Sequence, residues 1–264
     1  MNATTTTTAS KQFSSLMTSS CTKFLSHLFT KHQIACEAKG YHNSKVINST
    51  FSPYPLIGLD LGTKYMGVAL TVKQKYQNSN NLHLIAQNLM KNQISNSSSI
   101  PKYRIVSKPM MSVDIFDRHE VNMSKKLVNS INIENARKAL EALCSRHGVK
   151  GVVAGYQKNF EFSDQLLNIL RAIFMQSELL SSLPILLQNE SRSSLESYMH
   201  VMDKKSNGVG GMEVIDAFKN YKQDLSSMNK QEKQDLNSQS AAIILDRAIR
   251  SINTQLSQHG MTNY

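Results

Sequence analysis

No stretch of this 264-residue chain approaches the roughly eighteen consecutive apolar residues that a membrane-spanning helix requires, which argues against a membrane span. Cysteine is scarce. Cys21, Cys36 and Cys144 show no CxxC spacing, so neither a zinc knuckle nor a disulfide framework is indicated, and the three read as reduced thiols. Acids are few as well: 19 Asp and Glu face 30 Lys and Arg, leaving a formal charge of +11. The basic residues are scattered rather than massed in one run. Such an excess favours a polyanionic partner, through phosphate neutralisation and counterion release, and also suits a protein that passes through an organelle import system.

The first 53 residues differ in kind from the rest. They hold one acid, Glu37, no arginine, a Thr4–Thr8 tract and five lysines, Lys11, Lys23, Lys31, Lys39 and Lys45. Dense in Ser and Thr, this segment reads as a disordered transit peptide over 1–53, with Phe13, Leu16, Phe24, Leu25 and Leu28 able to form a weakly amphipathic helix. Arginine is absent before Arg104, whereas mitochondrial presequences are usually rich in it, so the address points to a plastid rather than a mitochondrion.

Past Pro53 strand and helix patterns alternate. Residues 56–61 and 65–72 are apolar or alternating and flank Gly62-Thr63-Lys64, a hairpin pattern. The polar stretch 73–100 reads as an excursion on that hairpin, and 103–116 supplies a third strand. Ala136, Leu140, Leu143 and Cys144 stand at helical spacing and are closed by Gly148. A short strand over 149–155, a helix over 163–180, a strand over 183–188 and a helix over 191–202 follow. Residues 203–235 read as a second insert with three glycines, and 238–252 as a final helix, leaving a tail over 256–264. A hairpin leading into βαβ units implies one α/β domain over 54–255, with a mixed sheet covered by helices.

Two segments carry chemistry. An apolar strand places Asp60 beside the Gly62 turn, and a second apolar strand ends on Glu190. If both strands lie in one sheet, two carboxylates meet at its rim, as a divalent-metal site for phosphate chemistry requires. Other acids read more plainly. Asp114 and Asp117 lie beside Arg118 and His119 in a surface charge cluster, and His147 is a helix-end cation.

The stretch Gly58-Leu-Asp-Leu-Gly-Thr-Lys-x-x-Gly-Val-Ala69 resembles the opening of the YqgF (RuvX-like) family of pre-16S rRNA nucleases and Holliday-junction resolvase-like proteins. Later segments agree in order. Val152-Val-Ala-Gly155 stands where the family has Val-Val-Gly-Leu-Pro, Asn189-Glu190-Ser191 where it has Asp-Glu-Arg, and Ser193-Ser194 where it has Ser/Thr pairs. Ser238-Gln-Ser-Ala-Ala-Ile-Ile-Leu245 resembles its Asp-x-x-Ala-Ala-x-x-Ile-Leu helix.

The resemblance implies a ribonuclease H-like fold, an antiparallel hairpin plus parallel strands flanked by helices, in which three carboxylates hold Mg2+ or Mn2+ for phosphodiester hydrolysis. Asp60 and Glu190 match two of those acids. Ser238 stands where the family has the third, so it becomes a neutral and weak metal ligand, with Asp235 a candidate to compensate. Lys64 and Arg192 become the candidate phosphate contacts. The implied partner is structured or precursor rRNA, and the implied role rRNA processing, weakened by loss of the third acid. Two alternatives stay open: a degenerate nucleic-acid binder on the same fold, or a resolvase of branched DNA. The phosphate loop of the actin and sugar-kinase superfamily opens similarly, but the chain is too short for that duplicated fold and lacks its second Asp-x-Gly loop.

Overall fold

The computed structural model describes residues 15–62, 65–75, 103–115, 130–157, 163–190, 193–205, 221 and 223–258. Six strands form one sheet: β1 (Met17–Thr18), β2 (Leu56–Leu61), β3 (Tyr65–Lys75), β4 (Tyr103–Asp114), β5 (Gly151–Tyr156) and β6 (Ile185–Asn189). Their order is β1-β6-β5-β2-β3-β4. The β2–β3 and β3–β4 pairs are antiparallel, whereas β5 runs parallel to β2, and β6 runs parallel to β5. A three-stranded meander whose first strand also pairs with two parallel strands is the ribonuclease H-like arrangement expected from the sequence.

Alternation along β2 sorts its side chains onto two faces. Ile57, Leu59 and Leu61 enter a core with Val152, Ala154 and Ile185, covered by α3 (Ser130–His147), α4 (Ser163–Met175) and α5 (Glu178–Ser181). Helix α3 ends at Gly148, whose φ of +58° is the left-handed cap its position required. A single helix read over 163–180 is in fact two, because Ser177 turns the chain and its side chain accepts from Leu180 N. Leu56 points to the other face. There it joins Val153, Leu186 and the apolar stripe of α7 (Lys230–Gln258), which includes Ala241, Ile244, Leu245 and Ala248.

Helix α7 lies unusually close to the sheet because glycines floor its contact. A Cβ on Gly58 would sit 2.8 Å from both Ala241 O and Leu245 Cβ, and one on Gly67 would collide with the backbone of Asn237. The glycines of the first motif thus serve helix-on-sheet packing. Helix α7 also starts at Lys230, eight residues ahead of the expected Ser238, and takes in much of what read as the polar insert 203–235. The remaining parts of both inserts lie largely outside the described residues.

The largest departure concerns the amino-terminal segment. Residues 15–53 are not a disordered leader but part of the fold. β1 adds a parallel edge strand to β6, and α1 (Cys21–Glu37), capped by Ser20, buries Phe24, Leu25 and Leu28. A short α2 (Ser44–Thr50) follows, and Phe51 and Tyr54 complete the same core. The physical reason is complementarity: the α7 face of the sheet has an apolar end at Leu56 and Gly151, and the Phe24 ring fills the space that Gly151 leaves. Low hydrophobicity over the whole segment concealed a compact trio of apolar residues on one helical face. Among the described residues no helix is long and apolar enough to cross a membrane.

Candidate active site

Asp60 is the fifth residue of β2 and points to the α7 face, where almost none of it is exposed. Its antiparallel partner is Gly67 on β3. On the other side, the parallel register that pairs Leu59 with Ala154 brings Gly155 alongside. Asp60 is therefore flanked on both neighbouring strands by residues without side chains. The gap over Gly155 is filled from the next strand. Glu190 continues β6, its N–H donating to Tyr156 O, and its carboxyl lies across Gly155 so closely that no Cβ could stand there.

The two acids that the sequence singled out are thereby brought together, with a hydrogen bond between their carboxyl groups. Burial raises the pKa of both. For Asp60 desolvation outweighs the hydrogen bonds from Ser240 and Glu190, which act in the opposite direction. Glu190 is raised by desolvation first, then by the charge of Asp60 and the hydrogen bond to it. One proton is shared, with Glu190 as its donor. Glu190 Oε2 is shut off from solvent and without a hydrogen-bond partner. No described lysine or arginine pairs with either acid.

The final helix contributes a hydroxyl, but from a different serine than the motif suggested. Asn237 and Ala241 form the line of α7 that touches the sheet glycines. At 3.6 residues per turn, Ser238 and Ser240 fall on opposite sides of that line. Ser240 shares its side with Ile244, whose Cδ1 would be 2.7 Å from a Cβ on Gly155. It faces the carboxylates. Its Oγ is buried and close enough to Asp60 to favour the ionised form, yet it makes no well-aligned hydrogen bond. Ser238 Oγ instead donates to Asp235 O at 3.0 Å in its own helix. Asp235 is exposed and accepts from Gln231, so it does not make up the missing charge. Lys64 and Arg192 lie outside the described residues.

Tyr221 escaped the sequence reading. Its side chain takes a hydrogen bond from Ser194, at the start of α6 (Ser193–Lys205), and it feels the charge of Asp60. Only its position four residues before Leu225, on a helical stripe after a glycine-rich stretch, could have marked it.

Two carboxylates with an adjacent hydroxyl form an all-oxygen donor set, which suits a hard divalent cation such as Mg2+ or Mn2+. The orphaned Glu190 Oε2 and the mutual repulsion of the acids are what such an ion would relieve. No group of three or more His, Cys, Asp or Glu side chains gathers among the described residues. The pair therefore fits one ion better than two.

No family model and no curated protein matches the chain. Among solved structures, Thermus thermophilus RuvC bound to a Holliday junction substrate is similar, with a TM-score of 0.37 and 7% identity over 79% of this chain and 98% of that one. A second structure of Thermus thermophilus RuvC gives a TM-score of 0.34, also at 7% identity, covering 78% of this chain and 97% of that one. A likeness this distant bears on fold alone, and the fold assignment rests on the strand order and register described above.

Proposed function

We propose that this chain is a divalent-cation-dependent nucleic-acid hydrolase in which Asp60 and Glu190 hold the metal. The observation that carries the proposal is the meeting of two buried, mutually repelling carboxyls on a glycine floor, with no described basic partner. A structural ion pair would have a lysine or arginine there. A buried acid pair without one is stabilised by a proton or by a cation, and such pairs mark functional sites.

When bound, a divalent ion supplies Lewis-acid polarisation of a phosphate and acidification of an attacking water. The protein's own contribution is positional. Gly67 and Gly155 keep side chains away from both flanks of Asp60, so a phosphate can approach. Glu190, the more basic of the pair, accepts or returns a proton at its carboxyl oxygen near neutral pH. Ser240 holds its hydroxyl toward Asp60. The net charge of +11 draws the polyanion in and accounts for binding that salt weakens.

The substrate we favour is structured precursor rRNA, on the strength of the ordered motifs shared with the YqgF family. An organelle, and a plastid before a mitochondrion, remains our reading of the basic, acid-poor amino terminus. Because residues 15–53 serve the core, a removable address would be confined to the segment ahead of them. A second reading, a binder that has lost turnover, is favoured by one observation: the final helix offers hydroxyls where a third acid would complete the set.

A cleavage assay with Mg2+ or Mn2+, on precursor rRNA and on a four-way DNA junction, separates these readings. Metal-dependent cleavage of the RNA that Asp60→Asn abolishes supports the hydrolase. Tight, salt-sensitive binding with no cleavage of either substrate selects the binder, and preferential cleavage of the junction selects the resolvase.

A further inference from the structure

Beside the carboxylate pair stands a small separate core that the hydrolase reading does not use. Tyr198, Met228 and Leu236 are buried together, with Leu195, Met199, Tyr221 and Leu225 packed around them. Tyr198 has no solvent exposure, and its hydroxyl donates to Asp224. Ser197 Oγ donates to Leu236 O at 2.7 Å, which ties α6 to α7. The residues around Asp224 are thus clamped onto both helices, and Tyr221 lies at the end of that clamp.

The Tyr221 ring meets Tyr198 edge to face, with centroids 5.4 Å apart and planes at 76°. This contact fixes the ring and leaves the residue partly exposed. Ser194 stands four positions after Glu190 and donates its hydroxyl proton to the Tyr221 oxygen, so the phenolic proton remains available to another acceptor. We propose that Tyr221 is a substrate-contacting residue of the carboxylate site, its hydroxyl donating to a phosphate oxygen of the bound strand.

The chemistry favours a phenol at this place. A lysine or arginine so near Asp60 and Glu190 would neutralise them and compete with a divalent ion, whereas a neutral donor grips phosphate without doing so. Burial, and secondarily the charge of Asp60, raise the Tyr221 pKa despite the Ser194 hydrogen bond, so the phenol stays a donor at any physiological pH. An aromatic ring held on both sides also loses little freedom when the strand arrives.

The inference rests on the nucleic-acid reading of the site, and its test is separable from that reading. In the full chain, Tyr221→Phe keeps the ring on Tyr198 and deletes only the hydroxyl. Fluorescence anisotropy with a labelled precursor-rRNA hairpin, in EDTA at fixed salt, should show binding weakened about tenfold, the loss of one hydrogen bond to a charged acceptor. The melting temperature and the calorimetric Mn2+ affinity should stay at parental values. Binding equal to the parent's would overturn the proposal and leave Tyr221 as packing, as would weakened binding accompanied by an equal loss of thermal stability in Tyr221→Ala and Tyr221→Phe alike. If the parent bound no nucleic acid, both readings would fall. If Asp60→Asn left Mn2+ affinity unchanged, only the carboxylate reading would fall, since the Tyr221 measurement is made without metal.

Discussion

Phe24→Ala in the full chain should destabilise the domain by about 3–5 kcal/mol, the usual range for emptying a buried aromatic site. Phe24 has no solvent exposure. Its ring packs where Gly151 lacks a side chain: a Cβ there would lie 2.8 Å from Cζ and 3.1 Å from Cε2. That fit leaves nothing able to refill the void, because the glycine has no atoms to move and Leu56 is itself held in β2. Domains of this size are stable by roughly 5–15 kcal/mol, so the loss is a large share of the total. At about 2–4 °C per kcal/mol, the melting temperature should fall by roughly 10 °C. Differential scanning calorimetry of the parent and Phe24→Ala, with urea titration as a check on two-state behaviour, measures this. A chain starting at residue 54 tests the same point more severely. It lacks β1, Phe24, Leu25, Leu28 and Phe51, exposing the end of the α7-face core, and should not melt cooperatively. If either protein melted within a degree of the parent, the amino-terminal segment would be a removable leader after all.

Because the folded state raises both carboxyl pKa values, it binds more protons than the unfolded chain. The stability from this protonation is full below the ordinary carboxylate range and is lost as pH rises through the raised values. In EDTA the parent should therefore lose stability from mildly acidic to mildly alkaline pH, Glu190→Gln should flatten that slope, and Mn2+ should restore only the parent; parallel melting profiles in EDTA would refute the shared proton. Gly67→Ala should cost about 1–3 kcal/mol in urea denaturation, because its Cβ meets helix backbone at Asn237 that cannot rotate away. Ser240→Asp should tighten Mn2+ binding about tenfold by calorimetry while destabilising the metal-free protein, since it adds a third charge to a desolvated pair. Ser238→Asp should leave Mn2+ affinity where it was; equal tightening by both would mean that the face of α7 is assigned wrongly.

Local pattern made the sheet legible. Alternating and apolar runs around a glycine turn specify the β2–β3 hairpin, because hydrogen bonding between neighbouring strands and period-two burial are short-range consequences of the residues themselves. Asp60 and Glu190 could be paired on the same grounds, each being the acid at the end of an apolar strand. Which surfaces meet is a different kind of information. Phe24, Leu25 and Leu28 gave α1 an apolar stripe, but only the exposed end of the α7 face, with its gap at Gly151, decided that the stripe is buried. The choice of Ser240 over Ser238 was likewise set by where α7 crosses Gly58 and Gly67, a contact between residues some 170 positions apart in the chain. Tyr221 came to the site through a clamp made by Tyr198 and Asp224. The sequence by itself determined the strands, their acids and the glycines between them; the tertiary structure decided which helix faces reach those acids, because that depends on complementary surfaces that no local window of residues contains.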